Sequence, residues 1–245
     1  MDRSVYDRMD RLEADHWWFV ARRAVIATII ERLIALPDGS AILEAGCGTG
    51  GNLRMLQSLA ELHAFEFDEE ARCRAEIKSD LNIPHGALPD DVPDQGRDYD
   101  LIALFDVLEH IEDDSASLKS LSAHLSETGR ILVTVPAYQW LWSRHDERHH
   151  HFRRYSRAGL RQAAEAAGLR VEHVFHFNFF LFPVAIGLRA VKAVFRRNTP
   201  DDEMPGPLIN ALLRRIFTSE RHLVGRVPLP FGLSVCAVCS KGADG

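Results

Sequence analysis

The sequence predicts an α/β fold, a mostly parallel sheet with helices on both faces. Three observations predict it. Short apolar strands alternate with helical patterns across residues 38–137, joined by short connections. A glycine-rich turn stands between the first strand and the helix after it. An acidic residue, Glu66, closes the second strand 20 residues beyond Gly46.

The elements follow in order. In residues 19–36, Val20, Ala24, Ala27, Ile30 and Ile34 recur at helical spacing, and Pro37-Asp38-Gly39 ends the run. Ala41–Ala45 is a short apolar strand. The turn after it leads into a helix carrying Leu53, Leu56 and Leu59. Leu62–Phe67 is the second strand, and Glu69–Lys78 a charged helix. Leu101–Phe105 reads as a buried strand. Asp113 suits the N-cap of a helix that carries Leu118, Leu121 and Leu125 on one face. Ile131–Val135 is a strand stopped by Pro136. Beyond it the pattern changes to a Trp-, His- and Arg-rich stretch. A helix near 156–167, a strand over Arg170–Phe177, helices at 181–196 and 206–223 and a last strand at Gly232–Cys239 complete the chain. The expected organisation is one domain over 1–245. It comprises a helical cap (1–37), a cofactor core (38–137), an acceptor-side segment (138–176), a helical insert (177–228) and the last strand (229–240).

Composition narrows the class. The 245 residues are 46% apolar and 26% charged, which suits a soluble globular chain and argues against disorder and coiled coil. The net charge of −6 has the wrong sign for a general nucleic-acid binder. Its distribution is uneven: residues 140–226 hold 15 Lys/Arg against 8 Asp/Glu, and the remainder 14 against 27. The N-terminus lacks the apolar core of a signal peptide, and the longest uncharged apolar run, Phe177–Leu188, is too short to span a bilayer. The expected location is cytoplasmic, with possible peripheral contact on the inner membrane face. Four cysteines are too few for a disulfide scaffold. Cys236 and Cys239 fall on opposite faces of a strand, so they read as buried apolar side chains rather than a metal pair.

The chemistry begins at Glu44-Ala-Gly46-Cys47-Gly48-Thr49-Gly50-Gly51-Asn52. Glycines let the backbone turn sharply and approach a ligand, and the following helix offers free N–H groups to an anionic group. Glu66 suits the two hydroxyls of a ribose. Glu44 separates the nucleotide ligands. A pyrophosphate beside it would meet a like charge, whereas an ammonium or sulfonium group would be attracted. S-adenosylmethionine carries both cations, a carboxylate for the helix N-terminus and a ribose for Glu66.

With these residues in place, the chain resembles the class I, Rossmann-like S-adenosylmethionine-dependent methyltransferases. The likeness runs through ILEAGCGTGGNL (42–53), HAFEFDEEA (63–71), GALP (86–89), DYDLIALFDVLEHIEDD (98–114) and GRILVTVPA (129–137). It implies a seven-stranded sheet whose last strand is antiparallel to the others. It also implies that Glu44, Gly46, Cys47, Gly48, Thr49, Gly50 and Asn52 hold the methionine end of S-adenosyl-L-methionine. Glu66 would take the ribose and Phe67 the adenine face, Ala87 and Leu88 would line the adenine, and Asp106 and Val107 would flank the methionine moiety. Many relatives carry an acid where Ala87 stands, so a backbone contact to the adenine is expected there. The flanks, His16-Trp17-Trp18-Phe19 with Arg22-Arg23, Trp142-Ser-Arg-His145-Asp146 and Pro228-Leu-Pro-Phe, resemble bacterial members associated with cell-surface glycan and lipid-linked biosynthesis.

Methyl transfer needs mainly proximity and orientation, with a general base for some oxygen or nitrogen acceptors. His145, paired with adjacent Asp146, is the first candidate base, His149 the second and His110 the third. A solvated loop is the competing reading for any one of them. The His149–His151 run lacks zinc-site spacing, so no metal is expected. Trp17, Trp18, Arg144, Arg153, Arg154 and Tyr155 are candidates to hold a small or lipid-linked, anionic acceptor. Leu181, Val184, Ala185, Leu188, Val191 and Phe195 form an apolar stripe ending in Arg189, Lys192, Arg196 and Arg197. That stripe fits packing on the sheet, dimerisation or contact with an anionic membrane. Two further readings stay open: an NAD(P)-dependent oxidoreductase, and a non-catalytic, membrane-associated cofactor-binding partner. The oligomeric state is not legible.

Overall fold

A computed structural model of the chain describes residues 3–93, 96–187 and 204–242. Two helices open it, α1 (Arg3–Leu12) and α2 (Trp17–Ile29), the second continuing as a π-helical turn over Ile30–Ile34. Then follow β1 (Ala41–Ala45), α3 (Leu53–Gln57), β2 (Glu61–Phe65), α4 (Glu69–Ser79), β3 (Tyr99–Phe105), α5 (Asp114–Ser122) and β4 (Leu125–Pro136). The remaining elements are α6 (Arg144–Arg148), α7 (Arg157–Ala166), β5 (Leu169–Phe177), α8 (Pro207–Ser219) and β6 (Ser234–Lys241). Residues 182–187 are helical, but the rest of the helix expected at 181–196, with its four basic residues, lies outside the described residues.

The sheet runs β2-β1-β3-β4-β6-β5, and β6 is antiparallel to both of its neighbours. This is the mixed Rossmann-like arrangement expected, with six strands among the described residues in place of seven. The missing strand falls after α4, where only an isolated parallel bridge, Glu66 to His85, extends the sheet edge. Pro84, Pro89 and Pro93 crowd that segment and remove the N–H donors that a longer ladder requires. Asp113 caps α5 as expected, accepting from the Ala116 N–H at 2.8 Å.

Burial on both faces explains why the central strands are continuous apolar runs. One face packs Ile42, Leu101, Leu132 and Cys236 against α2, α3 and Phe217 of α8. The other packs Leu43, Ile102, Val133 and Cys239 against α5 and α7. The two cysteines therefore stand on opposite sides of β6. The C-terminal ends of β1, β2, β3 and β4 gather Glu44, Glu66, Asp106 and Pro136 along one edge, where open α/β sheets bind ligands.

Candidate active site

The turn after β1 is shaped by close contacts. Gly46, Gly48 and Gly50 all have positive φ. A Cβ on Gly50 would lie 2.9 Å from the Ala75 backbone, and one on Gly46 would press on Val107 at 3.1 Å. A Cβ on Gly48 would meet nothing within 4 Å, so the turn leaves open space on that side. Glu44 is buried at its foot. One carboxylate oxygen accepts from Asn52 Nδ2 at 2.9 Å, and Oε2 has no hydrogen-bond partner among the described residues. Burial, partly opposed by Asn52 and Arg22, raises its pKa to about 8. Glu66 is also buried and accepts from the Gly48 N–H at 2.7 Å and the Asp68 N–H at 3.0 Å. Burial still raises its pKa against those bonds. Phe67 is 67% exposed beside His85, an open ring face next to Glu66.

The N-terminal helices close over this edge. Glu13, at the end of α1, accepts from the Thr49 hydroxyl at 2.8 Å and pairs with Lys78. Arg74 pairs with Asp7 and Asp10, so α1 is tied to α4 by ion pairs. Tyr6 lies close enough to Glu66 and Asp68 that their charges add to burial in raising its pKa. From α2, buried Arg22 reaches Asp106 at 2.5 Å and donates to Thr134 Oγ1 at 3.0 Å. Its guanidinium lies 5.1 Å from the Trp18 ring centroid and 5.6 Å from that of Phe105.

Beyond Asp106, a 3₁₀ turn (Leu108–His110) carries Glu109 and His110. The His-rich segment docks on it through the Phe152 N–H, which donates to the Glu109 carbonyl at 2.8 Å. Ser143 and Asp146 form a capping box that starts α6. Asp146 is fully buried and accepts from Arg154 (2.7 and 3.0 Å) and pairs with His151 Nδ1 (2.9 Å). Burial would raise its pKa, but these bonds outweigh it and hold the carboxyl below the usual range. His145 and His149 stack at 4.0 Å, and His110 meets His151 edge-on at 4.5 Å. Burial and neighbouring histidines lower His110 to about 3 and His149 to about 2.

Residues 18–174 match the family described as a methyltransferase domain. The chain belongs to the methyltransferase domain family. A relative from Mycolicibacterium smegmatis, named "Probable S-adenosylmethionine-dependent methyltransferase", is 29% identical over 173 residues. That alignment covers 67% of this chain and 65% of the relative, so the chain matches just under two thirds of that protein's length. The fold is similar to a chain of the Haloferax volcanii complex between the Trm112 methyltransferase activator and a methyltransferase. There the TM-score is 0.63 at 19% identity, covering 98% and 95% of the two chains. It is also similar to an S-adenosylmethionine-dependent methyltransferase from Clostridium acetobutylicum, with a TM-score of 0.58 at 14% identity and 98% and 97% coverage.

Within this domain the residues expected to hold a cofactor converge on one edge, with adjustments. The Thr49 hydroxyl is spent on Glu13. Ala87 exchanges both backbone hydrogen bonds with Asp91, each at 2.7 Å, so its N–H is not free for an adenine. Buried Cys47 has its thiol pKa pushed up by desolvation, which makes it packing rather than nucleophile.

The acceptor side needs more correction. The expected His145–Asp146 pair does not form through Asp146, whose carboxylate serves His151 and Arg154. Neighbouring residues on a helix diverge by about 100° and do not face one another. Arg154 is bound to Asp146, and Arg153 to Asp114 at 2.9 Å, with Tyr155 donating to Asp114 at 2.8 Å. These three build the segment before they touch any ligand. Trp17 packs edge-on against Phe217, and its backbone N–H donates to Asn210, which makes it a joint between α2 and α8. Trp18 stands nearer the site, holding Arg22. Arg144 is exposed at the start of α6. Sequence reasoning missed Tyr6, Glu13, Arg22 and Glu109. Arg22 and Glu109 each lie within or beside a quoted motif, but their partners are remote in sequence.

Proposed function

We propose that this chain transfers the methyl group of S-adenosyl-L-methionine to an oxygen or nitrogen of a small or lipid-linked, anionic acceptor. The observation that carries the reading is Glu44. A buried carboxylate with an unpartnered oxygen at the foot of the open glycine turn calls for a cationic group, which this cofactor has and a pyrophosphate lacks. The residues fit the cofactor: Glu44 would take its ammonium, Glu66 its ribose hydroxyls, Phe67 the adenine face, and Asp106 and Val107 the methionine stem. When bound, the cofactor supplies an electrophilic methyl on sulfur. The chain's part is to aim the acceptor at it from the His110, His145 and His149 side and to exclude water with α1.

An open cleft of about 620 Å³ beside that side is lined by Tyr138, Trp140, Arg153 and Ser156 among others, a surface suited to a polar acceptor with an apolar tail. Peripheral membrane contact is favoured by α8. It exposes Leu208, Ile209 and Leu212 beside Arg214, Arg215 and Arg221. Among the described residues, no helix is long and apolar enough to cross a membrane.

Calorimetric titration tests the cofactor assignment. Glu66→Ala should weaken S-adenosylmethionine binding by about 10- to 100-fold, the worth of one or two charge-assisted hydrogen bonds. Unchanged affinity in that variant removes the ribose assignment, and binding of NAD in place of S-adenosylmethionine overturns the reading. Co-sedimentation with anionic vesicles tests the surface: retention at low salt that fades at high salt is expected, and no retention removes the membrane contact.

A further inference from the structure

The 3₁₀ turn after β3 and the end of the His-rich segment bring together a donor set that the sequence spacing does not suggest. Glu109, His110 and His151 each offer one ligand atom, and these atoms lie within 4.8 Å of one another. A four-coordinate ion with bonds near 2.0 Å sets its ligands ~3.3 Å apart, so binding would draw these side chains slightly inward. Glu109 is 1% exposed, and its Oε2 has no hydrogen-bond partner among the described residues. Neither neighbouring cation hydrogen-bonds that oxygen: Arg22 pairs with Asp106 and Arg154 with Asp146. An unpaired buried carboxylate is costly, and a divalent cation would offset it.

The surroundings are those of oriented ligands. His151 Nδ1 is held by the Asp146 carboxylate at 2.9 Å, which leaves Nε2 as its available donor. A carboxylate–histidine pair of this kind fixes the ring and its tautomer for a metal. Asp146 is itself locked by Arg154 and the Ser143 cap, and the Phe152–Glu109 backbone bond fixes one segment on the other. Two imidazoles and one carboxylate form a donor set for first-row divalent ions such as Zn²⁺, with positions left open for a further ligand.

We propose that Glu109, His110 and His151 bind one divalent transition-metal ion, and that this ion takes the oxygen of the methyl acceptor as its next ligand. The proposal's second half rests on the methyltransferase reading. Asp106 lies within electrostatic reach of both His151 and Glu109, so an ion there would sit beside the end of the sheet where the methionine stem of the cofactor is proposed to lie. A hydroxyl acceptor bound there is acidified by the ion and gives its proton to water. The oxygen then forms a bond to the methyl carbon as the sulfur–methyl bond breaks, and the sulfonium becomes a neutral thioether.

The test uses the full chain, freed of metal with a chelator and titrated with Zn²⁺ by calorimetry. Co²⁺ in parallel gives a visible absorption band. The expected result is one ion per chain, with affinity lowered more than about 100-fold in His151→Ala and Glu109→Gln and unchanged in the exposed His173→Ala. Absence of one-to-one binding, or wild-type affinity in either of the first two variants, overturns the proposal. If His151→Ala does not fold, the near-isosteric Glu109→Gln decides alone. Titration of S-adenosylmethionine on the same samples separates the two readings. Cofactor binding without metal binding removes only the ion, and metal binding without cofactor binding removes the methyltransferase assignment together with the ion's acceptor role, leaving the ion site itself standing.

Discussion

The two halves of the site are built by different means. On the cofactor side, backbone does most of the shaping. Three glycines at positive φ, the ends of three parallel strands and two buried acids make a receptor in which Glu44 keeps an unpartnered oxygen. On the acceptor side, side chains do the shaping. Asp146 holds Arg154 and His151, and Asp114 holds Arg153 and Tyr155, before any ligand arrives. The first side stores an electrostatic need that a ligand answers, whereas the second, Glu109 excepted, uses its charges to hold a loop in shape. The basic character of residues 140–226 is therefore partly internal, and an acceptor bound there as proposed would meet fewer unpaired cations than the charge count suggests.

That contrast can be broken or sharpened experimentally. The largest effect should come from Asp146→Ala, which strands buried Arg154 and unpins His151. A loss of about 3–5 kcal/mol in folding stability is expected by denaturant unfolding. A loss under about 1 kcal/mol would mean that the network is decorative. Next is a pair of glycine variants. Gly50→Ala places a methyl against the Ala75 backbone at positive φ and should cost about 2–4 kcal/mol of stability. Gly48→Ala meets open space, so its stability cost should stay near the ~1 kcal/mol of left-handed strain while cofactor affinity falls. Equal behaviour of the two variants would erase the distinction between packing and ligand-facing glycines.

The smallest effect is a pH dependence. Glu44 is raised from its ordinary value to about 8, so the folded, ligand-free chain holds a proton there that the unfolded chain releases near pH 4.5. The stability tied to that proton is full below pH 4.5 and is lost as pH rises through about 8. A cationic ligand favours the carboxylate, so its binding should strengthen between about pH 6 and 8 and release close to one proton. Calorimetry in buffers of different ionisation enthalpy reads that release, and Glu44→Gln should flatten it. An unchanged slope in Glu44→Gln would assign the proton elsewhere.

The cofactor side was largely legible because its parts are contiguous: residues 44–52 and Glu66 belong to one strand–turn–helix–strand unit. Even there, Thr49 and Ala87 turned out to be occupied, by Glu13 from 36 positions upstream and by Asp91. The acceptor side was misread where nearness in sequence stood in for nearness in space, as with His145 and Asp146. Arg22 was invisible as a site residue because Thr134 lies 112 positions away. The seventh strand failed for a local reason, prolines at the sheet edge, which pattern reading of the segment could have weighed.

The hydrogen bond from the Phe152 N–H to the Glu109 carbonyl has a consequence for how such a chain can diversify. It is made between main-chain atoms, so it survives almost any side-chain exchange on either segment. On the proposed function, the exposed positions of the helix Arg144–Arg148 can change, and with them the choice of acceptor, while Phe152 stays fixed against Glu109. Lengthening the stretch between Asp146 and Phe152 would break that spacing at once, whereas substitutions on the exposed positions of the helix would leave it intact.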